Sequence, residues 1–278
     1  RLHYSYEKIK MTFEYFDIHS HIYFKDYDKD REEEIEKMKK HKIGTITIGT
    51  DFESSKIAVE MAEKHHNLFA CIGQHPGDLK ADSVFDERLN ALADNKKVVA
   101  IGECGLDYFR MDEGDLELKT IQKTIFEYHI DLALEKDLPL MLHIRSSKGT
   151  MDAYNDALTI LEHHYKISGD KLRGNAHFFA GDMEVLKRFL AIGFTVSFTG
   201  VITFTSDYDE FVKTVPLDKI MSETDSPFVT PAPHRKTRNS PLYVPLIVEK
   251  IAELRGEPLE VVKQAILANV KAYFPRIS

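Results

Sequence analysis

Four histidines and two carboxylates in this chain have the makings of a metal centre, and each stands at the end of a run of strand-forming residues. His19 and His21 lie in Phe16-Asp17-Ile18-His19-Ser20-His21, and Glu103 in Ile101-Gly102-Glu103-Cys104-Gly105-Leu106-Asp107. His143 follows in Leu142-His143-Ile144-Arg145, His177 in Asn175-Ala176-His177-Phe178, and Asp225 in Ser222-Glu223-Thr224-Asp225-Ser226-Pro227. Imidazole and carboxylate suit a borderline-hard divalent cation, and a set of this size suffices for two ions. Alternation along a strand sends Asp17, His19 and His21 to one side. Two imidazoles can then grip one ion, with Asp17 below them as the acceptor that fixes a ring tautomer. Glu103, with two oxygens, can bridge two ions. His143 and His177 would hold the second ion, and Asp225 would complete the shell of the first. Asp225 is also the candidate general base, with Glu223 on the same face supporting the network from below. This is the chemistry of a two-metal hydrolase.

A His-x-His pair says little by itself in a chain with thirteen histidines. The weight lies in the conjunction. His65, His66, His163 and His164 fall in charged, helix-like stretches and read as solvated, as does the acidic-basic run 28–42.

The elements that must position the six ligands alternate along the chain. β-Branched runs occupy 14–19, 43–50, 68–73, 98–103, 139–144, 173–178, 194–198 and 219–225. Amphipathic helical patterns cover 29–41, 52–66, 83–94, 116–136, 150–165, 182–191 and 208–215, with two more at 242–255 and 259–274. Strands that alternate with helices pair in parallel, and eight such units close naturally into a single (β/α)8 TIM barrel. An open doubly wound sheet would gather its chemistry at one switch point. Here the chemistry sits at strand ends scattered over the whole sequence, which puts the metal site at the C-terminal ends of barrel strands. Closure brings Asp225, from the last strand, beside His19 and His21, from the first.

Composition agrees with one domain over 1–278, with 1–12 as a flexible or added extension. The hydrophobic fraction of 43% and charged fraction of 29% are those of a soluble globular protein. There is no low-complexity segment, no Pro/Ser-rich linker and no apolar run of membrane-spanning length. Two cysteines, Cys71 and Cys104, are too few for a disulfide framework and fit a cytoplasmic protein. A net charge of −8 argues against broad coating of nucleic acid, though not against local capture of phosphates. The loop after the last strand, Pro231-Ala232-Pro233-His234-Arg235-Lys236-Thr237-Arg238-Asn239, concentrates positive charge at the active end. His234, Arg235 and Arg238 are therefore candidate substrate contacts, together with Arg145 and with His75 in Gly73-Gln74-His75-Pro76.

The motifs Asp-x-His-x-His at 17–21, Gly-Glu-Cys-Gly-Leu-Asp-Tyr at 102–108, His-Ile-Arg at 143–145 and Ala-His-Phe-Phe-Ala-Gly at 176–181 come in a telling order. Glu-Thr-Asp-Ser-Pro-Phe at 223–228 and Pro-His-Arg-x-x-Arg-Asn-x-Pro at 233–241 complete it, with Phe198–Phe204 between. Together they resemble the TatD family of metal-dependent deoxyribonucleases, amidohydrolase-like TIM barrels, over nearly all the chain. Two departures stand out. Phe178-Phe179-Ala180-Gly181 replaces the family's small or Cys residue followed by Phe-Ser-Gly, and Lys236 replaces the Gly after Pro-His-Arg. Both bear on the phosphate or base pocket and leave the ligands intact. The resemblance implies a phosphodiesterase acting on DNA, often as a 3′→5′ exonuclease, with two ions of Mg²⁺, Mn²⁺ or Zn²⁺. DNA is then the partner, with no membrane and no obligate protein partner. The rival enzyme is a related metallohydrolase acting on an amide or ester, including the ester of an aminoacyl-tRNA. A binding protein on an inactivated barrel would have lost ligands, and all six are present.

Overall fold

The structure is a computed structural model that describes residues 13–112 and 114–277; the extension expected at 1–12 lies outside the described residues. Eight short strands pair in parallel in sequence order: β1 (Tyr15–Ser20), β2 (Ile43–Ile48), β3 (Leu68–Ile72), β4 (Val98–Asp107), β5 (Leu140–Arg145), β6 (Gly174–Ala176), β7 (Thr195–Phe198) and β8 (Ile220–Ser222). Their β-branched residues pack on both faces, as a sheet covered on both sides requires. The ring closes where Ser20 pairs in parallel with Ser226, through Asp225 N donating to His19 O at 2.9 Å and His21 N to Ser226 O at 2.7 Å. The (β/α)8 barrel expected from the sequence is the observed architecture.

The helices are α1 (Arg31–Lys40), α2 (Phe52–Lys64), α3 (Arg88–Leu92), α4 (Leu116–Lys136), α5 (Asp152–Ser168), α6 (Met183–Ala191), α7 (Asp209–Thr214), α8 (Val244–Arg255) and α9 (Leu259–Tyr273). Local chemistry sets several of their starts. Asp51 caps α2 by accepting Ser54 N at 2.7 Å, and the Ser54 hydroxyl accepts Asp51 N in return. The helix expected over 83–94 is confined to α3, just ahead of which the Asp86 carboxylate accepts both the backbone N–H of Arg88, at 3.1 Å, and its guanidinium.

Two hydrophobic layers hold the fold. Phe16, Ile46, Phe69, Met141 and Met221 come from five different strands yet belong to one buried cluster, which only the barrel interior permits. Val270 of α9 and Phe274 just after it join the cluster, and Arg276 donates to the carbonyls of Ala93, Asn95 and Val98, closing the mouth at the strands' N-terminal ends. The larger layer lies between barrel and helices and includes Ile35, Phe126, Leu158, Phe189 and Ile247. Packing therefore seals one mouth and leaves the other for polar side chains.

Two irregularities matter for that open mouth. The register of β1 against β2 slips between Asp17 and Ser20, and that of β4 against β5 slips between Gly102 and Cys104. Each slip is a bulge that re-aims a side chain, and the second makes Glu103 the extra residue. Gly102 takes φ +145°, and any Cβ there would collide with the Met141 carbonyl oxygen. Only glycine fits.

Candidate metal centre

The two bulges, His143 on β5 and the chain just past β1, β6 and β8 deliver all six candidate ligands to one place. Glu103 is 3% exposed, and its two oxygens face different groups of imidazoles. Oε2 lies 3.5 Å from His19 Nε2 and 3.8 Å from His21 Nε2. Oε1 lies 2.9 Å from His143 Nδ1 and 3.4 Å from His177 Nε2. Asp225 Oδ1 reaches toward His21 Nε2 at 3.6 Å and His19 Nε2 at 3.8 Å. His177 and His21 lie just beyond β6 and β1, and Asp225 beyond β8, so these three come from strand-end loops rather than from the strands themselves. Asp225 adopts φ +53°, a left-handed conformation uncommon for a residue with a side chain and often found at working sites.

What orients each ring can be read from its other nitrogen. His21 Nδ1 donates to Ile48 O at 2.9 Å, which leaves Nε2 free for a cation. His177 Nδ1 faces both oxygens of the fully buried Glu223, at 3.0 and 3.1 Å. Glu223 is itself fixed by Phe178 N at 2.7 Å and the Ser197 hydroxyl at 3.0 Å. His143 Nε2 sits 3.0 Å from Asp107 Oδ2, so Nδ1 is the atom it can offer beside Glu103. Backing of a ring by carboxylate or carbonyl is the usual arrangement behind metal-bound histidines.

Asp17 does something different from what alternation suggests. It was expected to fix a histidine tautomer, but its Oδ1 accepts His19 N at 3.1 Å and Thr224 N at 2.9 Å, while Oδ2 accepts the Thr224 hydroxyl. Asp17 thus binds the seam between β1 and the chain after β8. The bulge in β1 turns its carboxylate to backbone rather than to a ring. Burial pushes its carboxyl up to about 8.

The electrostatics suit a cation. Burial alone would raise the Glu103 carboxyl, but the ring of imidazoles around it, from His75, His19, His143 and His177, holds it well below the carboxylate range. Asp225 is likewise lowered despite its burial, by the imidazoles of His21, His177 and His19 that surround it. Burial disfavours the charged forms of His177 and His143, yet their carboxylate neighbours raise both, Glu223 foremost for His177 and Asp107 for His143. His19 goes the other way, lowered by burial and by the charge of His177. Stacked 3.6 Å from the His177 ring and fully buried, His19 has no hydrogen-bond partner for either ring nitrogen among the described residues. A buried imidazole with nothing to bind is costly unless an ion satisfies it. The donor set fits divalent metal: His19, His21 and Asp225 form one convergent group, and His19, Glu103 and His177 another.

A third convergent group joins His75 to Glu103 and His143. His75 Nε2 stands 3.4 Å from Glu103 Oε1, but its Nδ1 accepts the Gly77 N–H at 3.0 Å. That bond uses the Nδ1 lone pair and leaves the hydrogen on Nε2, so His75 presents an N–H rather than a metal-binding lone pair.

The cavity above these residues has a volume of about 580 Å³, and His75, Arg110, Arg145, Phe24, Phe228 and Tyr208 line it. Arg145 stacks over the exposed Phe109 ring at 3.8 Å. The basic loop lies elsewhere. His234 stacks on Tyr243 with centroids 4.4 Å apart, and Arg235 packs over Phe204 at 3.7 Å while donating to Thr230 O. Arg238 forms a two-pronged pair with Asp30 at 2.6 and 2.8 Å and covers the Tyr27 ring, so its charge is directed into the fold. Of the positions singled out in the sequence, the structure gathers the six candidate ligands, Glu223, His75 and Arg145, and leaves His234, Arg235 and Arg238 outside the cavity wall. Asp107 and Arg110 escaped the sequence reading. Asp107 had a signal: it lies four residues after Glu103 on one strand, which by alternation is the same face.

With that geometry in hand, relatives are informative. A sequence profile of TatD related DNases matches residues 16–275. The chain is 38% identical to the uncharacterized metal-dependent hydrolase YabD of Bacillus subtilis, over 93% of this chain and 98% of that one. It is 30% identical to the uncharacterized metal-dependent hydrolase MJ1582 of Methanocaldococcus jannaschii, over 94% and 97%. Among solved structures, that of the TatD homolog YJJV from Escherichia coli superposes with a TM-score of 0.83 at 27% identity, covering 94% of this chain and 98% of YJJV.

Proposed function

This chain belongs to the TatD related DNase family of metal-dependent hydrolases, and on that premise we propose that it is a phosphodiesterase that trims DNA from the 3′ end. The observation that carries the reading is Glu103, buried, with one oxygen turned to His143 and His177 and the other to His19 and His21. That arrangement supports two cation sites sharing one carboxylate: His19, His21 and Asp225 on one side, His143 Nδ1 and His177 Nε2 on the other. Mg²⁺, Mn²⁺ or Zn²⁺ held there would supply Lewis-acid polarisation of a phosphoryl oxygen and acidify a water.

The chain's own groups do the rest. Asp225, ionised and at the cavity floor, accepts the proton of the attacking water. Arg145 and Arg110 line the wall where the flanking phosphates lie, with guanidinium forks matched to phosphate oxygens. Phe228, half exposed, and Phe24 beside it, at 5.9 Å between centroids, offer apolar faces to sugar and base. Phe178, next to His177, takes φ +43° and lines the same wall. Arg238 serves by bracing the loop through Asp30. Both buried, unpaired cysteines suit the reducing cytoplasm, and among the described residues no helix is long and apolar enough to cross a membrane.

The test is a panel of DNA oligonucleotides labelled at either end, with an aminoacyl ester and an amide in parallel, run on metal-loaded protein. Stepwise loss from the 3′ end that chelator abolishes is the expected result. Turnover of the ester or amide with intact oligonucleotides would replace the phosphodiesterase reading.

A further inference from the structure

Because the Gly77 N–H donates to Nδ1 of His75 at 3.0 Å, this ring is the neutral tautomer with its hydrogen on Nε2. Nε2 lies 3.4 Å from Glu103 Oε1 at the edge of the cavity. The side chain therefore presents a fixed donor next to the oxygen that also faces His143 and His177.

The scaffold behind it is rigid. His75 opens a short 3-10 turn, Pro76–Asp78, whose start its own ring caps. The preceding peptide is held by His129 of α4, fully buried, whose Nδ1 donates to Ile125 O at 2.7 Å and whose Nε2 accepts Gln74 N–H at 3.0 Å. On the other side Gln122, also buried, donates to both Pro76 O at 3.1 Å and Asp107 O at 3.0 Å. Two polar side chains buried in α4 serve to place one turn. A histidine needed only as surface filling would not require them.

We propose that His75 is a catalytic hydrogen-bond donor: its Nε2–H binds a non-bridging oxygen of the scissile phosphate and stabilises the charge that builds there, without giving up the hydrogen. The proposal rests on the phosphodiesterase reading. A donor fixed in advance toward developing charge needs no reorganisation during reaction, and loss of one such donor in other enzymes costs about 10²–10³-fold in rate. It also separates His75 from the cation ligands, since a ring that keeps its Nε2 hydrogen cannot coordinate through that atom.

The experiment compares wild type, His75→Ala and His75→Gln for bound metal and for single-turnover cleavage of an oligonucleotide, using both stereoisomers of a phosphorothioate at the scissile position. Gln carries an amide N–H to roughly the position of Nε2. Expected are wild-type metal content in both variants and a fall of about 10²–10³-fold in His75→Ala. Partial recovery is expected in His75→Gln, and the preference between the two thio isomers should shrink in His75→Ala. Metal loss parallel to rate loss, a rate within a few-fold of wild type, or His75→Gln no better than His75→Ala would each overturn the proposal. Should the variants fail to fold, ¹H–¹⁵N NMR of the metal-loaded wild type decides: a protonated Nε2 on His75 upholds it, and a metal-bound Nε2 overturns it. Wild type that cleaves no phosphodiester at all would instead sink the broader reading, while the NMR result would still report on the ring.

Discussion

Asp225 combines three properties that rarely meet in a carboxylate of purely structural use. It is nearly buried, it faces His19 and His21 across 3.6–3.8 Å, and it holds a left-handed backbone conformation. A structural aspartate would be expected to take up backbone donors, as Asp17 does with His19 N and Thr224 N. Asp225 is turned to rings instead. Replacing it by Asn keeps the shape and one oxygen but removes the charge and the basicity. Single-turnover cleavage by Asp225→Asn should fall about 10²–10⁴-fold at full metal loading, as for a lost general base. Oligonucleotide affinity should fall far less, since Arg110 and Arg145 remain. Cleavage within a few-fold of wild type by fully loaded Asp225→Asn would remove the general-base assignment.

At the scale of elements, what could be read from sequence was set by periodicity, and what could not was set by register. Strand ends are legible because short strand-like segments alternate with long amphipathic stretches along the chain, so the six candidate ligands stand out without coordinates. Bulges are not legible: a slip between Gly102 and Cys104 depends on how β4 meets β5, more than thirty residues away. The same holds for Asp17, whose partner Thr224 is 207 positions distant, and for Arg238, which pairs with Asp30 across the barrel seam. His129 was hidden in the helical pattern of α4, yet it anchors the loop after β3. Burial pushes this ring down from 6.5 to about 4, and only the Ile125 carbonyl opposes that shift. The unfolded chain therefore binds a proton below pH 6.5 that the native ring refuses, so this contribution is complete above that pH and is lost as pH falls toward 4. By about pH 5 the loss amounts to about 2 kcal/mol. Urea unfolding of wild type and His129→Gln at neutral pH and at about pH 5 checks this. Wild type should lose more stability on acidification than the variant by about that amount, and equal losses would show that His129 is protonated in the native state.

The whole molecule explains why the site sits where the chain's two ends meet. A barrel has no sheet edge only if its first and last strands join, and here β8 is three residues long. Much of the seam lies beyond it, in the single Ser20–Ser226 bridge, the Asp225 N to His19 O bond and the Asp17 carboxylate on Thr224. His19 and His21 stand on one side of that seam and Asp225 on the other. A cation held by this group is thus a cross-link between residues about two hundred positions apart, made only in the folded barrel. Binding to the native state alone stabilises it by about 2.7 kcal/mol at a hundredfold excess over Kd. The location of that gain is the more discriminating quantity. Removing metal with chelator should lower the urea midpoint and raise amide hydrogen exchange at His21 and Asp225, whose N–H groups bridge the seam, while β5 and its neighbours keep their protection. Asp225→Asn should shrink the metal-dependent difference in exchange at the seam and leave the metal-free protein's exchange at β5 unchanged. If chelation alters exchange uniformly, or nowhere near residues 19–21 and 224–226, then the ion does not join the barrel's ends and His19 must find its partner elsewhere.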